Sequence, residues 1–593
     1  MNSIKRKPQQ KPINAFNFSL LAVLVGVIAG LGAVVFRGLI ALVHNLFFLG
    51  KLSWVYNANA HTPVNPWGAL VILVPVVGAL GVAYLVQNFA PEAKGHGVPE
   101  VIDAIYYNQG RIRPVVATVK ALASALSIGS GGAVGREGPI IQIGSSMGST
   151  LGQWLPMQSW QRITLIAAGA GGGIAATFNT PVGGILFVVE LMMQEVSVRT
   201  LVPIALSTAT ATYIGRLFFG DHPSFVIPAM QTHYFHIMTP QVLLAYIGLG
   251  LLLGAVSALY IRSIYSFEDL FEKRIGGKYI LRHMGGMFIS GLLIYGTMAF
   301  TGHYYIEGVG YAAVQDVLTG SLATVGLLLA LCGLKLLVTS LTLGSGASGG
   351  IFSPALFIGA TFGGAYGVVL SHLFPGLGIG PPAFAIAGMA GVVGGSTGAA
   401  LAAIVMIFEM TLNYSVIIPI TITVVIAYGV RKVLCSQSIY TLKLERRGHH
   451  IPQALQTNLP QQRPAEDFMT TEVVLVPASA TLEEFGRLLA ERSNESACVV
   501  VDEERIVGVL DARMALEALL HPDSQTRMRD VGSHDFLTVA PRMRLFDVVA
   551  ALHARHLPVA LVVSGPGPKG VEGLITRQQI AEAFEDSVEL FTT

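Results

Sequence analysis

From Leu336 to Phe408 the chain contains no Asp, Glu, Lys or Arg. A soluble domain carries about 25 % charged residues, so a stretch this long belongs in lipid. It is also interrupted, by GSGASGG (344–350) and PGLGIGPP (375–382), and cannot be a row of straight spans of about 20 residues. Backbone freed from helical hydrogen bonding at membrane depth is tolerated only where protein buries it or it lines a cavity. Helices therefore start and stop inside the bilayer, and such breaks mark binding sites.

The rest of the composition fits two regimes in one chain. Residues 466–593 hold 32 charged residues in 128 positions, whereas the first 465 hold 40. A single soluble enzyme, a secreted disulfide scaffold and a disordered chain are excluded. Cys332, Cys435 and Cys498 are scattered and lack ligand spacing, so neither a disulfide framework nor a metal site is expected. A net charge of +2 gives no basis for nucleic-acid binding. Apolar runs at Phe16–Phe48, Trp67–Phe89, Ile163–Val189, Leu201–Phe219, Val242–Ile264 and Met287–Phe300 read as membrane helices. The first is too long for a signal-peptide core. Lys5, Arg6, Lys7 and Lys11 ahead of it place the N-terminus in the cytoplasm, with the chain in a cell (plasma or inner) membrane.

The breaks repeat. GSGGAVGREGPIIQIGSSMG (129–148) and GSGASGGIFSPALFIGATFG (344–363) share eight of twenty positions at an offset of 215, among them Gly135/Gly350 and Pro139/Pro354. Further on, Ala168/Ala387, Gly169/Gly388 and Glu190/Glu409 match at 219. Two homologous halves, about 17–220 and 240–436, place a site where they meet. In both, glycines lead into Pro and an apolar run, the pattern of a helix N-terminus. Its orphan N–H groups and partial positive charge favour a small anion without burying a full cation. The competing reading is that these glycines only let helices pack closely. Glu137 sits inside the first break, in GREGP, where a charge near the bilayer centre costs at least about 2.5–3.5 kcal/mol. As a carboxylate it mimics an anion and would occupy the site until protonated; pairing with Arg136 or capping the next helix is the structural alternative.

GSGGAVGREGP (129–139), GGIFSP (349–354), IVMIFEMTLNYS (404–415) and a C-terminal soluble pair resemble, in that order, the CLC family of chloride channels and chloride/proton antiporters. The resemblance covers about residues 17–445. It implies a polytopic α-helical membrane protein with antiparallel internal repeats and broken re-entrant helices, assembled as a homodimer with one pore per subunit. Chloride is then the ligand, no cofactor is required, and the chain is not an enzyme. By the same resemblance Glu137 is the external gating glutamate. The amides of Ile351 and Phe352 and the hydroxyl of Tyr440, in SIYTLKL, face the central anion. The family's GSGIP stands here as GHGVP (95–99), so His96 replaces a serine as the anion-binding side chain. Its ring N–H donates as a hydroxyl does, and its charge is switchable near neutral pH. Antiporters of the family usually follow the glutamate of ILF–VE with a second acid that delivers protons from inside. Here the pair is Glu190–Leu191, and Leu191 carries no proton. Glu190 and Glu409 are read as structural acids that satisfy backbone or partner groups. The expectation is anion transport through a glutamate-gated pore, channel-like or weakly proton-coupled. The alternative is a chloride/proton antiporter with a non-standard inner proton path.

After a polar linker (446–465), VPASATLEEFGRLL (476–489) and VAPRMRLFDVVAAL (539–552) align at an offset of 63, as do Val499/Val562 and Val500/Val563. The two units, 466–522 and 523–593, resemble a soluble α/β pair of cystathionine-β-synthase (CBS) domains on the cytoplasmic side. That family commonly binds adenine nucleotides. Thr576 fits its signature, but Gln579 stands where Asp would hold ribose, and Asp511 and Met514 occupy the two places in the first unit. A nucleotide site and a stabilising dimer module both remain open. An intramembrane metalloprotease can also carry CBS domains, yet none of the 15 histidines forms His-Glu-x-x-His.

Overall fold

The computed structural model describes residues 12–193, 197–221, 223–225, 239–375, 380–449, 451, 464–471, 473–490, 497–502, 505–510, 526–531, 534–565, 567–577 and 579–580. Lys5, Arg6, Lys7, Lys11, most of the linker, Asp511 and Met514 lie outside the described residues. The chain divides into two compact units, Met1–Leu455 and Gln456–Thr593.

The first unit is helical. In chain order its helices are α1 (Ala15–Leu49), α2 (Val74–Asn88), α3 (Val98–Tyr106), α4 (Val115–Gly129), α5 (Glu137–Trp154), α6 (Ser159–Phe178), α7 (Pro181–Val188), α8 (Val198–Phe219), α9 (Pro240–Asp269), α10 (Tyr279–Thr301), α11 (Tyr311–Thr319), α12 (Val325–Ser345), α13 (Phe352–Leu373), α14 (Pro381–Thr397), α15 (Ala400–Thr411), α16 (Ile417–Leu434) and α17 (Thr441–Arg446). Among the described residues, eight helical segments are long and apolar enough to cross a membrane. Others, such as α4 and α15, are apolar but too short. The run Ile163–Val189, expected as one helix, is two. Asn179 takes a left-handed conformation at φ 60°, and Pro181 then opens α7, so the chain turns between α6 and α7.

The two halves correspond element by element. Helices α5 and α13 start at Glu137 and Phe352, the same offset of 215 that relates the breaks. The starts of α7 and α15 keep the later offset of 219, as do those of α8 and α16. Within each half the first helix after the break lies against the next, α5 on α6 and α13 on α14. Small residues make these crossings. A Cβ on Gly144 would run into the carbonyl of Gly169, and one on Gly169 into that of Gly144. Gly359 and Gly388 do the same in the second half. The matched glycines therefore serve two purposes, some for helix packing and others at the breaks.

The second unit holds two three-stranded sheets of the same design. In the first, β1 (Val473–Pro477) is parallel to β2 (Ala497–Asp502), which is antiparallel to β3 (Arg505–Leu510). The second repeats this with β4 (Leu537–Val539), β5 (Val559–Val563) and β6 (Val571–Thr576). Val499 and Val509 of one sheet share a core with Val559, Leu561 and Leu574 of the other. The register corrects both sequence pairings of the central strands, Val499/Val562 and Val500/Val563. Val500 faces Gly508 and Val562 faces Gly573, so the central strands correspond at 62, not 63. Both are unbroken apolar runs, in which a slip by a single position leaves the pattern unchanged.

Candidate functional site

Three glycine-rich segments meet in the first unit. Gly135 N–H donates to Gly350 O at 2.7 Å, and Gly350 N–H to Gly135 O at 2.6 Å, which joins the two breaks as an antiparallel bridge. The GHGVP segment joins from the other side: Gly95 N–H donates to Ala347 O at 2.9 Å and Gly349 N–H to Gly95 O at 3.2 Å. Side chains would not fit here. A Cβ on Gly350 would lie 2.7 Å from Gly138 N, and one on Gly138 would meet the His96 carbonyl.

Helix α13 begins at this junction. Its N-terminal amides at Ile351 and Phe352 have no backbone or side-chain acceptor among the described residues, as expected of the first turn of a helix. The Ser353 amide does have one. It donates to Glu137 Oε2 at 3.2 Å. Glu137 Oε1 accepts from Tyr311 Oη at 2.6 Å and from the Ser353 hydroxyl, and the side chain is buried. A carboxylate thus rests on the positive end of α13, where helix dipole and N–H groups favour negative charge. Arg136 is not its partner. That guanidinium lies over the rings of Tyr311 and Phe178, 5.3 and 5.8 Å from their centroids.

His96 and Tyr440 are neighbours, with ring centroids 6.2 Å apart, and Tyr265 stands 6.3 Å from His96. Both His96 and Tyr440 are buried. His96 Nδ1 has no hydrogen-bond partner among the described residues, which is costly unless something else occupies it. Lys120 holds this loop from behind, donating to Ala93 O at 2.9 Å and Gly95 O at 2.7 Å. Two tyrosines of α9 brace the surroundings. Tyr260 donates to Ile351 O at 3.1 Å, and Tyr265 to Ile439 O at 2.5 Å. Beside His96 a cavity of about 10 Å³, lined by Lys94, Glu268 and Lys443 among others, has room for about one water.

The remaining sequence candidates lie elsewhere. Glu190 accepts from the amides of Leu401 and Ala402 at 3.2 and 2.9 Å, at the start of α15. Glu409 accepts from Val182 and Gly183 at 3.1 and 2.7 Å, at the start of α7. Each acid therefore caps a helix of the opposite half. Leu191 is buried in the π-helical turn Val189–Met193. In the second unit Thr576 donates its amide to Gln579 Oε1 at 3.0 Å and its hydroxyl to the same oxygen.

Tyr311, Ser353, Tyr260, Tyr265 and Lys120 were not among the sequence candidates. A signal existed for the loop that leads into Tyr311, though not for the tyrosine itself. GHGVP (95–99) and GVGYA (308–312) correspond at an offset of 213, and in both the two glycines have positive φ, 76° and 85° in one, 50° and 77° in the other.

Residues 78–432 match the family described as voltage gated chloride channel, and residues 465–521 match the CBS domain. The chain is 31 % identical over 463 residues to the H(+)/Cl(-) exchange transporter ClcA of Yersinia pseudotuberculosis, covering 76 % of this chain and 91 % of that one. It resembles the crystal structure of a slow cyanobacterial Cl-/H+ antiporter, with TM-score 0.62 and 26 % identity over 74 % of this chain and 99 % of the other. It also shares a fold with a eukaryotic CLC transporter, with TM-score 0.61 and 20 % identity over 95 % of this chain and 98 % of that one.

Proposed function

This chain belongs to the voltage gated chloride channel family, and on that premise we propose that it exchanges chloride for protons across a membrane through a site that Glu137 closes. One observation carries the reading. The Glu137 carboxylate sits on the Ser353 amide, next to the Ile351 and Phe352 amides, where a chloride ion would take the same helix end. Carboxylate and anion compete for one position. A proton arriving on Glu137 neutralises it and weakens its hold on the helix dipole, so the anion replaces it. Loss of that proton returns the carboxylate. A single group thus answers to both ions. His96 and Tyr440 complete the anion's surroundings as donors, the first through its ring N–H and the second through its hydroxyl.

Channel-like transport, the first expectation from Leu191, is less well supported than its alternative, because the relative and the solved cyanobacterial protein are named as an exchanger and an antiporter. Since Leu191 binds no proton, the inner half of the proton route avoids that side chain. The test is reconstitution of the full chain into liposomes. An imposed chloride gradient should drive protons uphill with a fixed ratio. Chloride flux without uphill proton movement would overturn exchange in favour of the channel reading.

The orientation proposed is the one read from Lys5, Arg6, Lys7 and Lys11, with the N-terminus and both CBS units in the cytoplasm and two chains per assembly. At the CBS pair an adenine nucleotide would have to displace Gln579 from Thr576.

A further inference from the structure

The loop that carries Tyr311 has an unusual support. Gly308 and Gly310 take positive φ, 50° and 77°, and on this loop the carbonyls of Ile306 and Gly308 accept from a buried side chain. A buried acceptor left without a donor is costly. Lys335 of α12, fully buried, supplies both: its Nζ donates to Ile306 O at 2.9 Å and to Gly308 O at 2.7 Å. An ammonium suits the task because three donors radiate from one compact atom. The first half contains the same device. There Lys120, the counterpart of Lys335 at the offset of the breaks, donates to Ala93 and Gly95 at the same two distances. In each half the clamped loop feeds a nine-residue helix, α3 or α11, through its second glycine. Recurrence in both halves argues that the lysines serve the loops, since the side chains at matched positions differ, His96 against Val309 and Val98 against Tyr311.

The line from Lys335 to the gate is short. Gly310 precedes Tyr311, and a Cβ on Gly310 would lie 2.7 Å from Phe357 Cδ2 and 3.2 Å from Lys335 Nζ. Tyr311 then donates to Glu137. Other charged and titratable groups face this region. Glu307 pairs with His44 at 2.8 Å, His44 lies beside Tyr56, and Asp316 of α11 pairs with His61 at 2.7 Å. Arg136 lies over Tyr311. Among the described residues, Lys335 is the charged side chain bonded to the loop's backbone on both sides of Glu307.

We propose that Lys335 is a positioning residue of the gate. By clamping the carbonyls of Ile306 and Gly308 it fixes the loop so that the Tyr311 hydroxyl holds the Glu137 carboxylate at the start of α13. This rests on the reading of Glu137 as the gate, and the experiment separates the two. Chloride flux is measured against pH in liposomes carrying the full chain, for wild type, Lys335→Met, Tyr311→Phe, the double variant and Glu137→Gln. Removing a donor from a carboxylate disfavours its charged form. Lys335→Met and Tyr311→Phe should therefore each move the flux midpoint to higher pH. Each should also raise flux about tenfold where the wild type is closed, the scale of one hydrogen bond to a charged group. The double variant should match Tyr311→Phe alone, because Lys335 acts through Tyr311. An unchanged Lys335→Met profile, or shifts that add in the double variant, would overturn the proposal. Glu137→Gln and Tyr311→Phe without effect would instead overturn the gating reading on which it rests. If Lys335→Met yields no folded protein, Gly310→Ala displaces the loop while keeping the lysine. It should give the same shift, absent in the Tyr311→Phe background; an unshifted profile overturns the proposal equally.

Discussion

Replacing Glu137 by Gln keeps a side chain of the same shape at the start of α13 and removes its charge. An amide oxygen still accepts from Tyr311 or Ser353, but it no longer competes with an anion as a charged occupant. Glu137→Gln should raise chloride flux and abolish its dependence on external pH, read by flux assays over a pH series; flux no larger than wild type and still pH-gated would remove Glu137 from the role of gate. Glu100 offers a second residue-scale test, at the tie between α3 and α17. It accepts from Arg447 at 2.6 and 2.9 Å and lies 3.4 Å from Lys443. Burial alone would raise the Glu100 carboxyl, but the Arg447 hydrogen bonds and the Lys443 charge hold it below its ordinary value of 4.5. A carboxyl lowered on folding contributes stability that is full above its unfolded value and is lost as pH falls through its folded one. Thermal unfolding in detergent should therefore show an acid-sensitive loss below that value. Glu100→Gln should remove this loss while lowering stability at neutral pH. Glu137 stood out in the sequence because a charge within a glycine break at membrane depth is costly whatever partner it finds. Tyr311 did not, since an aromatic at the head of an apolar run is indistinguishable from a packing residue until the fold brings it to Glu137.

At the scale of elements, the caps on α7 and α15 set the expectation. The Glu190 carboxylate satisfies two amides of α15, and Glu409 satisfies two of α7. Alanine at either position leaves the helix start without its acceptor, which costs about 0.5–2 kcal/mol for an ordinary cap. Glu190→Ala and Glu409→Ala should each lower the thermal midpoint in detergent, and Gln should restore part of the loss through its remaining oxygen. An unchanged midpoint in both would mean water serves those amides equally well. The repeat at 215 was readable because glycine and proline at helix breaks are dictated by backbone geometry and tolerate no substitute. The repeat at 213 is faint because two glycines are all that GHGVP and GVGYA share. Lys120 and Lys335 are inconspicuous for a different reason. A single lysine in an apolar run reads as a helix end reaching for water, and its burial against carbonyls appears once the loops are folded over it.

Across the whole molecule, the sequence read correctly as a helical membrane part followed by CBS-like sheets, because charge density separates the two. It erred where apolar character alone had to locate a boundary or a register, at Asn179–Pro181 and in the central CBS-like strands. The exchanged caps have a consequence for how the chain is made. The acid that completes α15 is synthesised with the first half, long before that helix exists, and α7 waits for an acid that emerges only near the end of the second. The first half therefore leaves the ribosome with one exposed helix end and one acid without its partner, and neither is resolved until the second half is inserted. A chain halted midway should be a substrate for membrane quality control rather than a resting intermediate. Expressed separately, residues 1–230 should be degraded, and co-expression with residues 231–593 should prolong their lifetime in a pulse-chase, each half acting as the other's chaperone.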